Sequence, residues 1–228
     1  MNQNFLDLGL EDVIVQAVDH LGFEKPTPVQ EKCIPIVLNE DTDLVALAQT
    51  GTGKTAAFGL PLIQKVDNDN RNTQALVLAP TRELCIQIAS DLNNYARFKK
   101  TNVVAVYGGA SIMDQARNLK RGAQVIVATP GRMKDMINRK LVDITKIQYA
   151  VLDEADEMLN MGFYDDIVDI LSDTPEDKNT WLFSATMPKD LKVIVDRYIK
   201  PNAVRIEINQ IKIMEILNST RICWNRLC

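Results

Sequence analysis

Ala48-Gln49-Thr50-Gly51-Thr52-Gly53-Lys54-Thr55 is the stretch that decides the fold. It follows an apolar run, Leu44-Val45-Ala46-Leu47, and precedes a predicted helix over residues 56–66. A strand, a glycine loop and a helix in this order are the context of a phosphate-binding loop. The glycines let the backbone turn its N–H groups towards phosphate oxygens, and the helix start adds its positive end. Lys54 can then reach the β- and γ-phosphates, while the Thr55 hydroxyl can ligate Mg²⁺.

The strict pattern for such a loop begins with glycine, and this chain has Ala48 at that position. On this motif alone, a glycine-containing turn between strand and helix, with an exposed lysine, remains an alternative. A partner acid at the end of another strand would decide between the two interpretations, because phosphate chemistry of this kind needs a metal ligand.

The bulk composition indicates a globular protein. A chain of 228 residues suits one α/β domain or at most two small ones. The net charge of −4 provides no global attraction for nucleic acid, so a nucleic-acid site would have to be a local patch. The four cysteines match no zinc or redox spacing. The absence of a signal peptide pattern and of a membrane-length apolar run predicts a cytoplasmic protein with no membrane association.

Apolar runs alternate with helical patterns after the glycine loop, which predicts the α/β class with a mostly parallel sheet and helices on both faces. The runs are rich in Val, Ile, Leu and Ala, as is typical of strands covered on both sides. Strands are predicted at 75–79, 103–106, 125–128, 150–152, 181–183 and 203–208. Helices are predicted at 7–21, from Pro28 to about Leu38, and at 82–98, 112–119, 133–138, 164–171 and 189–198.

Polar segments follow the predicted strands, and ligands of such sheets bind at the carboxyl ends of the strands. Asp153-Glu154-Ala155-Asp156 directly follows the run at 150–152 and supplies the partner acid. Asp153 can hold, through water, the Mg²⁺ that bridges the phosphates, and Glu154 can orient or deprotonate an attacking water. Taken alone, the four residues would also suit the acidic start of a helix.

The glycine loop and Asp153-Glu154-Ala155-Asp156 together resemble the DEAD-box family of ATP-dependent RNA helicases, over about residues 5–206. Within that family the loop has its own variant, which includes Ala48. The resemblance implies a RecA-like P-loop domain, ATP and Mg²⁺ as cofactors, and RNA as a partner that is bound by its backbone. It implies Lys54, Asp153 and Glu154 as catalytic residues, with Thr55 and Asp153 holding Mg²⁺ through water.

Gly22-Phe23-x-x-Pro26-Thr27-Pro28-x-Gln30 resembles the family's Q motif, with Phe5 as an isolated upstream aromatic residue. The match implies that Gln30 hydrogen-bonds the adenine edge, for which an amide offers a donor beside an acceptor, and that Phe5 packs on the base. Without a ligand, the same segment would be a turn and a capped helix with a solvent-facing glutamine. The implied nucleotide-binding residues are Phe5, Phe23, Lys25, Thr27, Gln30, Thr50, Gly51, Thr52, Gly53, Lys54, Thr55 and Ala56.

Three further segments resemble the family's RNA-contacting motifs, and their hydroxyls, arginines and helix-start N–H groups suit phosphate and sugar contacts. Each is also a turn with a capped helix, because the same cap can serve both purposes. The implied RNA-binding residues are Pro80, Thr81, Arg82, Gly108, Gly109, Thr129, Pro130, Gly131 and Arg132. Ser184-Ala185-Thr186 resembles the motif that couples the acids to RNA, so Ser184 and Thr186 are expected to hydrogen-bond Asp156.

The resemblance also sets the expected domain organisation. Residues 1–208 are expected to form the ATP-binding domain, including the Q motif at 5–30, and residues 209–228 an atypical tail with the second helicase domain absent. Such a monomer is expected to be nearly inactive alone, since the arginine that completes the ATP site in the family belongs to that second domain. Two other hypotheses are a truncated, non-catalytic module that binds RNA or a helicase partner, and an unrelated P-loop ATPase or DNA helicase. The Q motif argues against the last.

Overall fold

The computed structural model describes residues 2–208, which contain a single seven-stranded sheet in which every paired strand is parallel. The strand order across the sheet is β3-β4-β2-β5-β6-β1-β7. The strands are β1 Leu44–Leu47, β2 Ala75–Leu78, β3 Val103–Val106, β4 Val125–Ala128, β5 Tyr149–Leu152, β6 Asn179–Ser184 and β7 Val204–Glu207. The predicted fold class is confirmed, and each predicted strand lies within two residues of an observed one.

Helices cover both faces of the sheet. They are α1 Gln3–Leu6, α2 Asp12–His20, α3 Pro28–Asn39, α4 Lys54–Lys65, α5 Arg82–Tyr95, α6 Ile112–Lys120, α7 Pro130–Asn138, α8 Ala155–Asn160, α9 Tyr164–Ser172 and α10 Lys189–Tyr198. Two apolar clusters result. In one, the helices from α1 through α5 pack on one face of the sheet; in the other, the helices from α6 through α10 pack on the opposite face. Successive strand residues such as Leu44 and Val45 belong to different clusters, because side chains alternate along a strand. No described helix is both long and apolar enough to cross a membrane.

The helix predicted over residues 7–21 is observed only as α2, Asp12–His20, and its predicted start is wrong. Residues 7–11 form a turn between α1 and α2, in which Gly9 has a φ of +92° and Leu10 lies outside either helix. Leu10 is nevertheless buried, so its spacing continued the helical pattern across the turn. Two other helices begin earlier than expected: α4 at Lys54 and α7 at Pro130. In α3, Thr27 is the N-cap residue and Pro28 the first helical residue, as predicted, and the Gln30 side chain accepts from the N–H of Thr27. The predicted tail, 209–228, lies outside the described residues, so the division of the chain stays a prediction.

Asp43 fixes the start of β1, the strand whose other end carries the glycine loop. Its buried carboxylate accepts hydrogen bonds from the backbone N–H of Thr180, at 2.8 Å, and of Lys200, at 2.6 Å. Its carbonyl accepts from the N–H of Val204 at 3.0 Å. One residue therefore joins the amino-terminal ends of β6, β1 and β7.

Replacing Asp43 tests how far the sheet depends on this carboxylate. An asparagine side chain at this position accepts a hydrogen bond from one of the two backbone N–H groups through its oxygen. Its NH₂ group faces the other N–H, which then lacks an acceptor. Since bonds to a charged acceptor are the stronger kind, we expect Asp43→Asn to lower the free energy of unfolding by about 2–4 kcal/mol. Urea denaturation measures the change, with the exposed Glu40→Gln as the control. A midpoint equal to that of the control would contradict this role.

Candidate functional site

The glycine loop after β1 has the backbone geometry of a phosphate cradle. Gly51 and Gly53 have φ angles of +76° and +92°, in the left-handed region that glycine adopts without strain. Gly53 is the N-cap of α4, and Lys54 and Thr55 form the first turn of that helix. The free N–H groups of a helix start therefore face the space above β1, where an anion is favoured.

Lys54 and Asp153 place opposite charges inside the protein at this edge. The two residues are 5% and 3% exposed. Within residues 2–208 the Lys54 ammonium has no hydrogen-bond partner. Burial raises the pKa of Asp153 from 3.8 to about 6, although the charge of Lys54 acts in the opposite direction. An unpaired buried cation is costly, so this arrangement fits an anionic ligand between the loop and the acid.

The same groups fit a nucleotide triphosphate with its magnesium ion. Lys54 and the loop N–H groups match phosphate oxygens, and the Thr55 hydroxyl and the Asp153 carboxylate are oxygen ligands of the kind that Mg²⁺ prefers. Glu154 follows directly and has a left-handed backbone, with φ 50° and ψ 49°. For a residue with a Cβ this conformation costs on the order of 1–3 kcal/mol, and such residues concentrate at functional sites.

Gln30 connects the Q motif to the glycine loop. Its side-chain oxygen accepts from the N–H of Thr27 at 2.9 Å, and its Nε2 donates to the carbonyl of Gly53 at 3.1 Å. Gln30 is buried, so the alternative interpretation, a simple capped helix with a solvent-facing glutamine, is wrong. The Thr27 hydroxyl is buried and, among the described residues, lacks a partner, as the ammonium of Lys54 does.

The aromatic residues of the Q motif belong to the core. Phe5 is fully buried, with its ring centroid 6.3 Å from that of Phe23, which in turn lies 6.4 Å from the Tyr95 ring. Packing of Phe5 on an adenine would require its ring to become exposed, so that contact stays a prediction. Lys25, two residues after Phe23, is exposed.

Ser184, at the end of β6, links the glycine loop to the acidic segment. Its carbonyl accepts from the N–H of Ala48 at 2.9 Å, and its hydroxyl accepts from the N–H of Asp156 at 3.2 Å. The N–H and hydroxyl of Thr186 donate to the Asp156 carboxylate at 2.9 and 2.7 Å. Burial raises the pKa of Asp156, but these hydrogen bonds outweigh it and hold the pKa below its usual value. The expected contacts with Asp156 are confirmed. The Thr186 hydroxyl bonds the Asp156 carboxylate, and the Ser184 hydroxyl bonds the Asp156 backbone N–H.

The segments assigned to RNA follow β2, β3 and β4, three neighbouring strands at one side of the sheet. The Thr81 hydroxyl caps α5 by accepting from the N–H of Leu84 at 3.2 Å, and Pro130 begins α7 after Thr129. The Arg82 guanidinium lies over the ring of Tyr107, 5.0 Å from its centroid. Within the next turn, Gly109 has a φ of +80° and would place an added Cβ 3.2 Å from Arg82 Nη1.

Arg132 is held by the protein on this side. Its Nη1 donates to the carbonyl of Ala110 and to the side-chain oxygen of Gln115, both at 3.0 Å. Tyr107 and Gln115 were not among the predicted site residues. Tyr107 directly follows β3, a position that indicated the site edge, whereas a glutamine within an amphipathic helix gives no such signal.

The predicted site residues thus form two groups at the carboxyl edge of the sheet. The glycine loop, the acidic segment and Ser184–Thr186 follow β1, β5 and β6, whereas the Q motif precedes β1 and meets the loop through Gln30. The segments assigned to RNA follow β2, β3 and β4, with β5 and β2 adjacent. Of the predicted site residues, Phe5 and Ala56 belong to the apolar core.

Substitution of the two loop glycines separates backbone strain from contact with the Q motif. Alanine is strained at both positions, but only at Gly53 would its Cβ approach Gln30 Nε2, at 2.6 Å, and Thr27 Oγ1, at 2.9 Å. We expect Gly53→Ala to lose about 1–3 kcal/mol more unfolding free energy than Gly51→Ala when nucleotide is absent. Chemical denaturation measures both, and equal losses would show that the Gln30 contact adds nothing to loop stability.

Comparisons with known proteins agree with this geometry. Residues 27–194 match the family described as DEAD/DEAH box helicase. The chain is 50% identical over 207 residues to the ATP-dependent RNA helicase CshA of Listeria monocytogenes. The matched region covers 90% of this chain and 40% of that protein. It is 46% identical over 222 residues to the ATP-dependent RNA helicase DeaD of Haemophilus influenzae, and the matched region covers 96% of this chain and 36% of that protein.

A solved structure gives the same result. The crystal structure of a DEAD box protein from Methanococcus jannaschii superposes with a TM-score of 0.86 and 43% identity, over 90% of this chain and 56% of that one. This chain spans less than half the length of the two curated relatives. Since the family match includes the glycine loop, the acidic segment and Ser184, the chain belongs to the DEAD/DEAH box helicase family.

Proposed function

We propose that the chain binds Mg-ATP and the RNA backbone, and that it couples ATP hydrolysis to local unwinding of an RNA duplex together with a second RecA-like domain. The observation that carries the proposal is the buried Lys54 ammonium, which among residues 2–208 has no partner and lies beside the glycine loop and Asp153. The relatives named above, which are called ATP-dependent RNA helicases, support the same activity.

Within the proposed reaction, the residues of this chain hold the phosphates and position water. Lys54 and the loop N–H groups bind the β- and γ-phosphates, while Thr55 and Asp153 hold the metal through water. Mg²⁺, when bound, neutralises charge that develops on these phosphates. Glu154, adjacent to Asp153 on a fixed left-handed turn, accepts a hydrogen bond from the attacking water and orients it. Gln30 discriminates the base while its Nε2 supports the loop at Gly53.

Coupling to RNA follows from the contacts of Ser184. This residue bonds the first residue of the loop through its carbonyl and Asp156 through its hydroxyl, and Thr186 completes the contact. RNA binds across the ends of β2, β3 and β4 through arginines and capped helix starts, which are suited to phosphates and not to base edges. We further propose that the chain is a cytoplasmic monomer. The buried free thiols of Cys33 and Cys85 are consistent with a reducing compartment.

The nucleotide site is tested by removing the unpartnered charge. Lys54→Ala deletes a charge-assisted contact to phosphate, so we expect the dissociation constant for Mg-ATP to rise by at least about tenfold. Titration calorimetry of the chain measures it. Lys65→Ala, at the opposite end of the same helix, is the matched control and is expected to bind like the wild type. Unchanged affinity in Lys54→Ala would exclude this site.

Base selectivity tests the Q motif separately. If Gln30 binds the adenine edge, the chain binds ATP better than GTP, and Gln30→Ala narrows that gap by on the order of 1–3 kcal/mol. The ratio of the two affinities is the informative quantity, because loss of the Gly53 contact weakens both nucleotides alike. Gln16→Ala, at an exposed glutamine of α2, is the control. A wild type that binds both nucleotides equally would remove the adenine contact from the proposal.

A further inference from the structure

Gln115 is a buried amide that joins two of the segments assigned to RNA. It lies on α6 and is 7% exposed. Its Nε2 donates to the carbonyl of Tyr107 at 3.1 Å, and its Oε1 accepts from Arg132 Nη1 at 3.0 Å. Tyr107 follows β3 and Arg132 follows β4, so a single side chain spans the ends of two neighbouring strands.

The orientation of this amide is determined by its partners. A guanidinium offers only donors, and a backbone carbonyl offers only an acceptor. The oxygen of Gln115 must therefore face Arg132, and its nitrogen must face Tyr107. An apolar residue of similar size would satisfy neither group, so this position requires both a donor and an acceptor.

The same contacts fix the direction of Arg132. Its Nη1 carries two hydrogens, and the carbonyl of Ala110 and the oxygen of Gln115 engage both. Arg132 is half-buried, and among residues 2–208 its hydrogen bonds involve Nη1 and not its other two nitrogens. The bonds of Nη1 thus convert a flexible side chain into a fixed one, which reduces the entropy lost when a phosphate binds.

The turn that Gln115 holds also positions the second arginine. The Tyr107 ring lies under the Arg82 guanidinium, and Gly109 lies close enough that a Cβ there would be 3.2 Å from Arg82 Nη1. The position of residues 107–110 therefore determines where Arg82 lies. Through Tyr107 on one side and Arg132 on the other, Gln115 sets the spacing between the two arginines.

We propose that Gln115 is a positioning residue for RNA binding, which fixes the spacing of Arg82 and Arg132 without contacting RNA itself. The inference rests on the proposed function, since it assumes that this side of the sheet binds phosphates. It requires that loss of the amide weakens RNA binding, leaves nucleotide binding intact and acts through Arg132.

The experiment is a double-mutant cycle in the full chain. Gln115→Met keeps the size of the side chain and removes both hydrogen bonds, and Arg132→Ala provides the second background. Asn118→Ala, at an exposed amide of the same helix, is the control. Fluorescence anisotropy with a labelled single-stranded oligouridine gives RNA affinity at low salt, and titration with Mg-ATP gives nucleotide affinity. Hydrogen exchange of the amides at 108–110 reports the order of the turn.

We expect Gln115→Met to weaken RNA binding by about three- to tenfold, the range of one net hydrogen bond. Exchange at 108–110 should become faster, Mg-ATP affinity should stay the same, and the RNA effect should be clearly smaller in the Arg132→Ala background. Equal losses in both backgrounds, wild-type RNA affinity in Gln115→Met, or a parallel loss of Mg-ATP affinity would each overturn the positioning role. A wild-type chain that binds no RNA would instead overturn the proposed function, and this inference with it.

Discussion

The buried pair of opposite charges, Lys54 and Asp153, is the constraint on which the site depends. The two residues follow β1 and β5, which are separated in the sheet by β6. They approach each other only if β6 lies in register between those strands, and Ser184 at its end bonds both neighbouring segments. The Lys54 ammonium has no hydrogen-bond partner among residues 2–208, and holding it away from water costs several kcal/mol, which the apolar contacts on both faces of the sheet must offset. The site is thus a product of the whole sheet and not of the glycine loop alone.

Much of this arrangement could be predicted, because the decisive signals are local. Parallel strands buried on both faces are continuous apolar runs, and the polar residues that follow them mark the site edge. The strand order could not be predicted in the same way. The placement of β6 beside β1 depends on contacts such as those of Asp43 with Thr180, which are distant in sequence. The helix predicted over 7–21 starts too early, because apolar spacing continues across the turn at Gly9, where backbone geometry and not hydrophobicity interrupts the helix.

Gln30 and Gln115 show a further limit of sequence reasoning. Both are buried glutamines on helices that also carry solvent-exposed residues, where a polar side chain ordinarily predicts the solvent face. Gln30 was identified only through the resemblance to a known motif, and Gln115 lies outside every motif of the sequence that resembles the family. Each uses its amide to connect a donor to an acceptor on separate segments. Their roles depend on tertiary partners, which periodicity does not report.

The two halves of the site edge differ in how far the protein satisfies its own polar groups. Among the described residues of the nucleotide half, Lys54 Nζ and Thr27 Oγ1 are buried without partners. In the RNA half, Arg132, Gln115 and Thr81 are already hydrogen-bonded within the protein. A ligand that hydrogen-bonds a buried polar group without a partner removes a desolvation cost of about 1–3 kcal/mol, and more if the group is charged. A ligand that binds donors already held in place by the protein gains mainly because those donors lose little entropy on binding. By this comparison, the glycine-loop side of the edge offers an anionic ligand a larger gain in free energy than the side that carries Arg82 and Arg132.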